Sequence, residues 1–157
     1  MFAKGDKIVY PMYGAGVIEE IEFPETQEDD LHYIIRIPNG NLRIKVASKK
    51  AELIGIRPVY DEEKIISEIT DAASRPIVFQ KNWNVRYKEN LEKIKSGNLS
   101  DVAEVAKALM LREKERNLSG VEKKMLNNAK QIILSEIILS KNIAKADAED
   151  FLTKKLL

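Results

Sequence analysis

Apolar residues recur at two different periods along this chain, and the change falls near residue 58. Before it the runs are short. Ile8-Val9-Tyr10 is a β-rich run that ends at Pro11. Within 15–23, Val17, Ile18, Ile21 and Phe23 supply a second strand whose broken alternation predicts a bend or bulge. Residues 31–37 set Tyr33, Ile35 and Ile37 on one face and Ile34 and Arg36 on the other. Leu42, Ile44 and Val46 alternate with Arg43 and Lys45, which turns both cations away from the core face. The intervening Pro38-Asn39-Gly40-Asn41 suits a tight hairpin, because Asn-Gly tolerates positive φ angles. A fifth short strand is expected over 53–59, around Gly55.

From residue 61 the period is helical. Residues 61–72 carry Ile65, Ile66 and Ile69. After Arg75-Pro76, Asn82 is placed to cap a helix that runs to about Ser96 and stops at Gly97. Ser100 is expected to cap the next helix, whose Val102, Val105, Ala106, Leu109 and Met110 keep helical spacing. Ser119 and Glu122 have the spacing of a capping box. The helix that follows carries Val121, Met125, Ala129, Ile132, Ile133 and Ile137 as one stripe, to about Ser140. Ala148, Phe151, Leu152 and Leu156 mark a last amphipathic helix over 144–156. The expected class is therefore α+β. A small N-terminal SH3- or Tudor-like β-barrel module covers 1–58, and a C-terminal all-α helical bundle covers 59–157.

Composition narrows the chemistry. The chain has 157 residues, 44% hydrophobic and 32% charged, with 26 Lys plus Arg against 25 Asp plus Glu. A net charge of +1 excludes a polycation that coats nucleic acid but leaves room for a local basic patch. Without Cys there is no disulfide, thiolate metal site or Cys nucleophile. The single His, His32, falls in a strand with no Ser-His-Asp grouping to join, and reads as structural. Glu19-Glu20 and Asp29-Asp30 read as solvated charge, and Glu28-Asp29-Asp30 lacks the spacing of a calcium loop. Gly14-Ala15-Gly16 lacks the Gly-Lys-Ser/Thr ending of a phosphate loop and reads as a tight strand connection. No catalytic residue, metal site or cofactor is expected, so the chain reads as a non-enzyme. With no signal peptide and no 18-residue apolar run, it is expected in the cytoplasm and off the membrane.

The distribution of charge says more than its total. Residues 75–95 hold six cations, Arg75, Lys81, Arg86, Lys88, Lys93 and Lys95, against Glu89 and Glu92. The only Trp, Trp83, lies among them, just after Asn82. Two readings compete. Trp83, Tyr87, Leu91 and Ile94 follow helical spacing, which makes the Trp the first core residue of a stripe. A first-turn residue also has few neighbours, and an indole flanked by Lys81, Arg86 and Lys88 can stack on a base or wedge into a groove.

The segment Asn82-Trp83-Asn84-Val85-Arg86-Tyr87-Lys88-Glu89-Asn90-Leu91-Glu92-Lys93-Ile94-Lys95-Ser96-Gly97 resembles the Trp-containing helix of the CarD/CdnL family of bacterial transcription regulators. Val102-Ala103-Glu104-Val105, Leu118-Ser119 and Glu122-Lys123-Lys124-Met125-Leu126 are similar to the same family's helical domain. Gly5-Asp6-Lys7-Ile8-Val9-Tyr10-Pro11 with Gly14 resembles the opening of its N-terminal domain, shared with transcription-repair coupling factors. The likeness runs through essentially the whole chain; with no helicase region, it is to the free-standing regulators.

The resemblance implies a protein that binds the RNA polymerase β subunit and the upstream edge of the melted promoter. It places Trp83 as a minor-groove wedge that stabilises the open complex, with Arg86 and Lys88 near the DNA backbone; Lys81 and Asn82, at the same helix start, are expected to bind DNA as well. It turns Arg43 and Lys45 toward polymerase. Val85 stands where relatives often carry a basic residue, and Lys45 where some have Arg, whose bidentate fork Lys cannot reproduce. A monomer associated with the nucleoid through polymerase is the simplest expectation. The alternative is a protein–protein scaffold that joins two partners without touching DNA, in keeping with the near-zero net charge and the acidic loop over 25–30.

Overall fold

Residues 1–26, 30–78 and 81–157 are described by the computed structural model of the chain. Glu28 and Asp29 of the acidic loop lie outside the described residues. Strands β1 (Lys7–Tyr10), β2 (Gly14–Glu22), β3 (His32–Ile37), β4 (Leu42–Ala47) and β5 (Arg57–Pro58) form one antiparallel sheet in the order β4-β3-β2-β1-β5. β4 and β5 stand at opposite ends of that order, and no pairing between them closes a barrel among the described residues. Tyr33, Ile35 and Ile37 join Ile8, Ile18 and Val46 in the sheet's core, as the alternation predicts. The register shifts between Ile18 and Glu20, where the alternation of β2 fails. In the hairpin, Asn41 N–H donates to Pro38 O at 2.9 Å, and positive φ falls on Gly40 and Asn41.

The expected fifth strand is a correction. Its first residues close helix α1 (Ser48–Ile54), and β5 keeps only Arg57 and Pro58. Ala47, at the N-cap position, has no side chain able to cap. Asp30, just before β3 and across the β3–β4 hairpin, supplies the acceptor, taking hydrogen bonds from the Ser48 hydroxyl and from Lys49 N–H. Gly55 then ends the helix in the left-handed conformation.

The second half forms α2 (Glu62–Ser74), α3 (Trp83–Lys95), α4 (Leu99–Glu115), α5 (Gly120–Lys141) and α6 (Lys145–Leu156). Asn82 caps α3 and Ser119 caps α5, both as expected. The cap of α4 is a second correction. Asn98, not Ser100, accepts from Ser100 N–H at 3.1 Å and Asp101 N–H at 3.4 Å. The earlier start brings Leu99 into the core, and Ser100 is buried with its hydroxyl donating to Asn98 at 2.7 Å. Ile65, Ile69, Ile94, Leu109, Ile133 and Ile137 lie in one continuous helical core. Each such side chain contributes about 1.5–3 kcal/mol by burial.

The two halves share a close seam along α5. Gly14 opens β2 at φ 111°, and a Cβ there would stand 2.7 Å from Ser135 Oγ. That oxygen instead accepts from Ala15 N–H at 2.9 Å and donates to Ile132 O at 2.6 Å. Gly14-Ala15-Gly16 thus lies within a strand as a place of close approach, rather than forming the connection expected of it. Beside it Lys7 Nζ donates to Leu139 O at 2.9 Å. At the centre of the seam Glu136, 1% exposed, accepts from both terminal nitrogens of Arg57 at 2.8 Å and from Tyr60 N–H at 2.9 Å. The Arg57 guanidinium lies 3.8 Å over the Tyr60 ring, and its Nε donates to Gly97 O at 3.2 Å. One arginine therefore ties β5, the α3–α4 turn and α5 together.

Candidate nucleic-acid interface

The stripe on α3 runs from core to solvent. Ile94 is buried, Leu91 and Tyr87 are half-buried, and Trp83 is 40% exposed. The indole lies nearly parallel to the Tyr87 ring, 5.4 Å between centroids and 8° between planes. Trp83 is thus neither sealed in the core nor free of it. Helical spacing explains the stack on Tyr87, and the first-turn position explains the exposure. Asn82 fixes that first turn by accepting from Val85 N–H at 3.2 Å. Val85 is exposed beside it.

Ion pairing divides the basic stretch. Arg86, 12% exposed, donates through Nε to Glu122 Oε2 at 3.1 Å, and Arg112 Nε stands 3.5 Å from the same oxygen. The Ser119 hydroxyl is 3.3 Å from the other Glu122 oxygen. Arg75 is held by Asp71, Asp101 and Glu104 at 2.7–2.9 Å, and these hydrogen bonds, Asp101 first, raise the pKa of its guanidinium. Lys93 Nζ lies 3.4 Å from Glu104. Lys81, Lys88 and Lys95 are exposed and make no ion pair among the described residues. Sequence spacing brings Arg86 and Lys88 together; folding separates their roles, Arg86 toward Glu122 and Lys88 toward solvent.

In the sheet, Arg43 and Lys45 point outward from the end strand β4. Each meets a carboxylate of β2, Arg43–Glu19 at 3.5 Å and Lys45–Glu22 at 2.7 Å. The hydrogen bond from Lys45 holds the Glu22 carboxyl below its ordinary range. Exposed pairs of this kind exchange easily with an incoming partner, because water and salt screen them. His32 lies opposite Glu22 in the β2–β3 register. Among the described residues no group of His, Asp and Glu is arranged to hold a metal, and no helix is long and apolar enough to cross a membrane.

Glu122, Glu136 and Arg57 are absent from the sequence reading as organisers. Glu122 shows there as a capping residue and within a family-like segment, and its partner Arg86 lies 36 positions away. No local spacing encodes such a pair.

Residues 2–60 match the family described as "CarD-like/TRCF RID domain", and residues 69–153 match "CarD, C-terminal domain". The pairing of these two units defines a protein of the CarD-like transcription-regulator type. The "Putative transcription factor YdeB" of Bacillus subtilis (strain 168) is 39% identical over 154 residues, covering 96% of this chain and 99% of that protein. The chain belongs to the CarD family.

Proposed function

We propose that this chain regulates transcription by docking its sheet module, residues 1–58, on the RNA polymerase β subunit while its helical module, residues 59–157, holds the upstream edge of a melted promoter. The observation that carries the reading is Trp83, a half-exposed indole on the first turn of α3 whose inner face is braced by Tyr87. Such a ring can enter a minor groove at an opened step without leaving a hydrophobic core. Asn82 and the open N–H groups of the helix start, with Lys81 and Lys88, meet the flanking phosphates. Arg86 acts one step back, through Glu122, by fixing α3 to α5. On the sheet, β4 offers an unpaired edge with Arg43 and Lys45 beside it, a surface suited to a β-rich partner.

Within the basic stretch only Lys81, Lys88 and Lys95 lack an ion pair among the described residues, so counterion release there is small, DNA affinity of the free chain is weak and polymerase supplies the local concentration. The seam through Arg57 and Glu136 makes that delivery a matter of geometry, since the Trp-bearing bundle is fastened to the docking sheet. The chain works as a monomer in the cytoplasm, reaching the nucleoid through polymerase, and needs no cofactor.

One competitor has an observation of its own. The neutralised cations Arg75, Arg86 and Lys93 suit a scaffold that joins two proteins without DNA. A salt-dependent gel shift on a forked promoter fragment, with and without polymerase, separates the two. The regulator reading expects a chain-dependent shift with polymerase that weakens as salt rises, and Lys45→Glu lowers polymerase association. Identical shifts with and without the chain would favour the scaffold.

A further inference from the structure

The two flanks of α3 border clefts of opposite character. On one side Arg86, Glu89, Lys93, Glu104 and Arg112 line a cleft of about 60 Å³ that carries charge of both signs, with Lys93 paired to Glu104 across it. On the other, Tyr87, Leu91 and Ile94 face Val121 and Met125 of α5 across an open groove of about 310 Å³. That volume is at the lower end of the about 300–1,000 Å³ found for small-molecule clefts. Among the described residues Lys124 is the only charged one in the lining, and Asn128 adds a donor and an acceptor. Lys88 and Lys95 follow Tyr87 and Ile94 by one residue, so helical geometry sets them on the groove's flank. Among the described residues no carboxylate lines the groove itself, while Glu92 follows Leu91 by one residue and stands on the same flank as Lys88 and Lys95.

We infer that this groove seats one unstacked nucleobase of an opened DNA strand, with the adjoining phosphates met by Lys88, Lys95 and Lys124. The inference rests on the wedge role of Trp83 and extends it. An apolar floor under a rim of three lysines and one glutamate, Glu92, keeps a net positive edge and complements an anionic chain that carries flat, apolar rings. Continuity supports the same occupant. Tyr87 is both the ring under Trp83 and the first wall of the groove, so a base displaced at the indole emerges at the groove mouth. Asn128 is placed to hydrogen-bond a base edge, and the apolar floor accepts any base face.

The test uses the full chain and a fluorescein-labelled hairpin fork with four unpaired thymines, measured by fluorescence anisotropy beside the fully paired duplex. The wild-type chain is expected to prefer the fork. Val121 is 45% exposed in the first turn of α5, where an acidic residue suits the helix N-terminus, so Val121→Asp keeps the fold, as circular dichroism will show. It is expected to weaken fork binding about tenfold, or 1.4 kcal/mol, and to leave duplex binding within about twofold. Lys124→Gln lowers the salt slope on the fork by about 0.7. Equal binding of fork by wild type and Val121→Asp overturns the inference, as does an equal loss on fork and duplex, which would be charge alone. A wild-type chain with no preference for the fork overturns it too. The role of Trp83 fails separately, if Trp83→Ala leaves the decay of open promoter complexes unchanged.

Discussion

The seam between sheet and α5 and the free end of α3 are built on opposite terms. At the seam Glu136 is closed off by three donors and Gly14 leaves no room for a side chain beside Ser135. At the start of α3 an indole and a valine are left in water, and the nearest arginine is turned inward to Glu122. The seam is closed by buried polar bonds and close packing, whereas the surface that can act on a partner lies where the fold demands least. Substitutions at the two places should therefore fail in different ways.

The largest effect is expected at the seam. Glu136→Ala strands the Arg57 guanidinium in a largely buried site, at a cost of about 3–5 kcal/mol. For a chain of this length that lowers Tm by roughly 10 °C, read by thermal denaturation. A fall of less than about 2 °C would mean that the modules are held by something else. Next comes the cap. Asn82→Ala removes the acceptor for Val85 N–H and costs about 1 kcal/mol, visible in urea unfolding. Its effect on promoter complexes should exceed its effect on stability, because the first turn carries Trp83; the reverse order would count against the comparison.

The smallest effect concerns the outer face of the sheet. Glu22 titrates below an ordinary glutamate because Lys45 hydrogen-bonds its charged form. The pair is therefore intact above the ordinary Glu range and is lost as pH falls through the lowered midpoint. NMR titration should find that low midpoint, and Lys45→Gln should return it upward with little change in stability. An unchanged midpoint would remove Lys45 from the pair.

What was legible in the sequence was local. Asn82 as a cap, the stripe from Trp83 to Ile94, the bulge in β2 and the outward turn of Arg43 and Lys45 all depend on neighbours a few positions away. Helix α1 was not legible, because its cap is Asp30, delivered from across a turn. Asn98 and Ser100 both suit a cap, and burial of Leu99 decides between them. The basic stretch over 75–95 was overstated for the same reason. Glu104 and Glu122, distant in sequence, neutralise three of its six cations together with Asp71 and Asp101.

The most direct test of the central claim is the lifetime of open promoter complexes formed by polymerase with the wild-type chain or with Trp83→Ala. Loss of one base–aromatic contact, about 1–3 kcal/mol, predicts a lifetime shorter by roughly fivefold or more with polymerase binding and Tm unchanged. An unaltered lifetime from a folded, polymerase-bound Trp83→Ala chain would contradict the account.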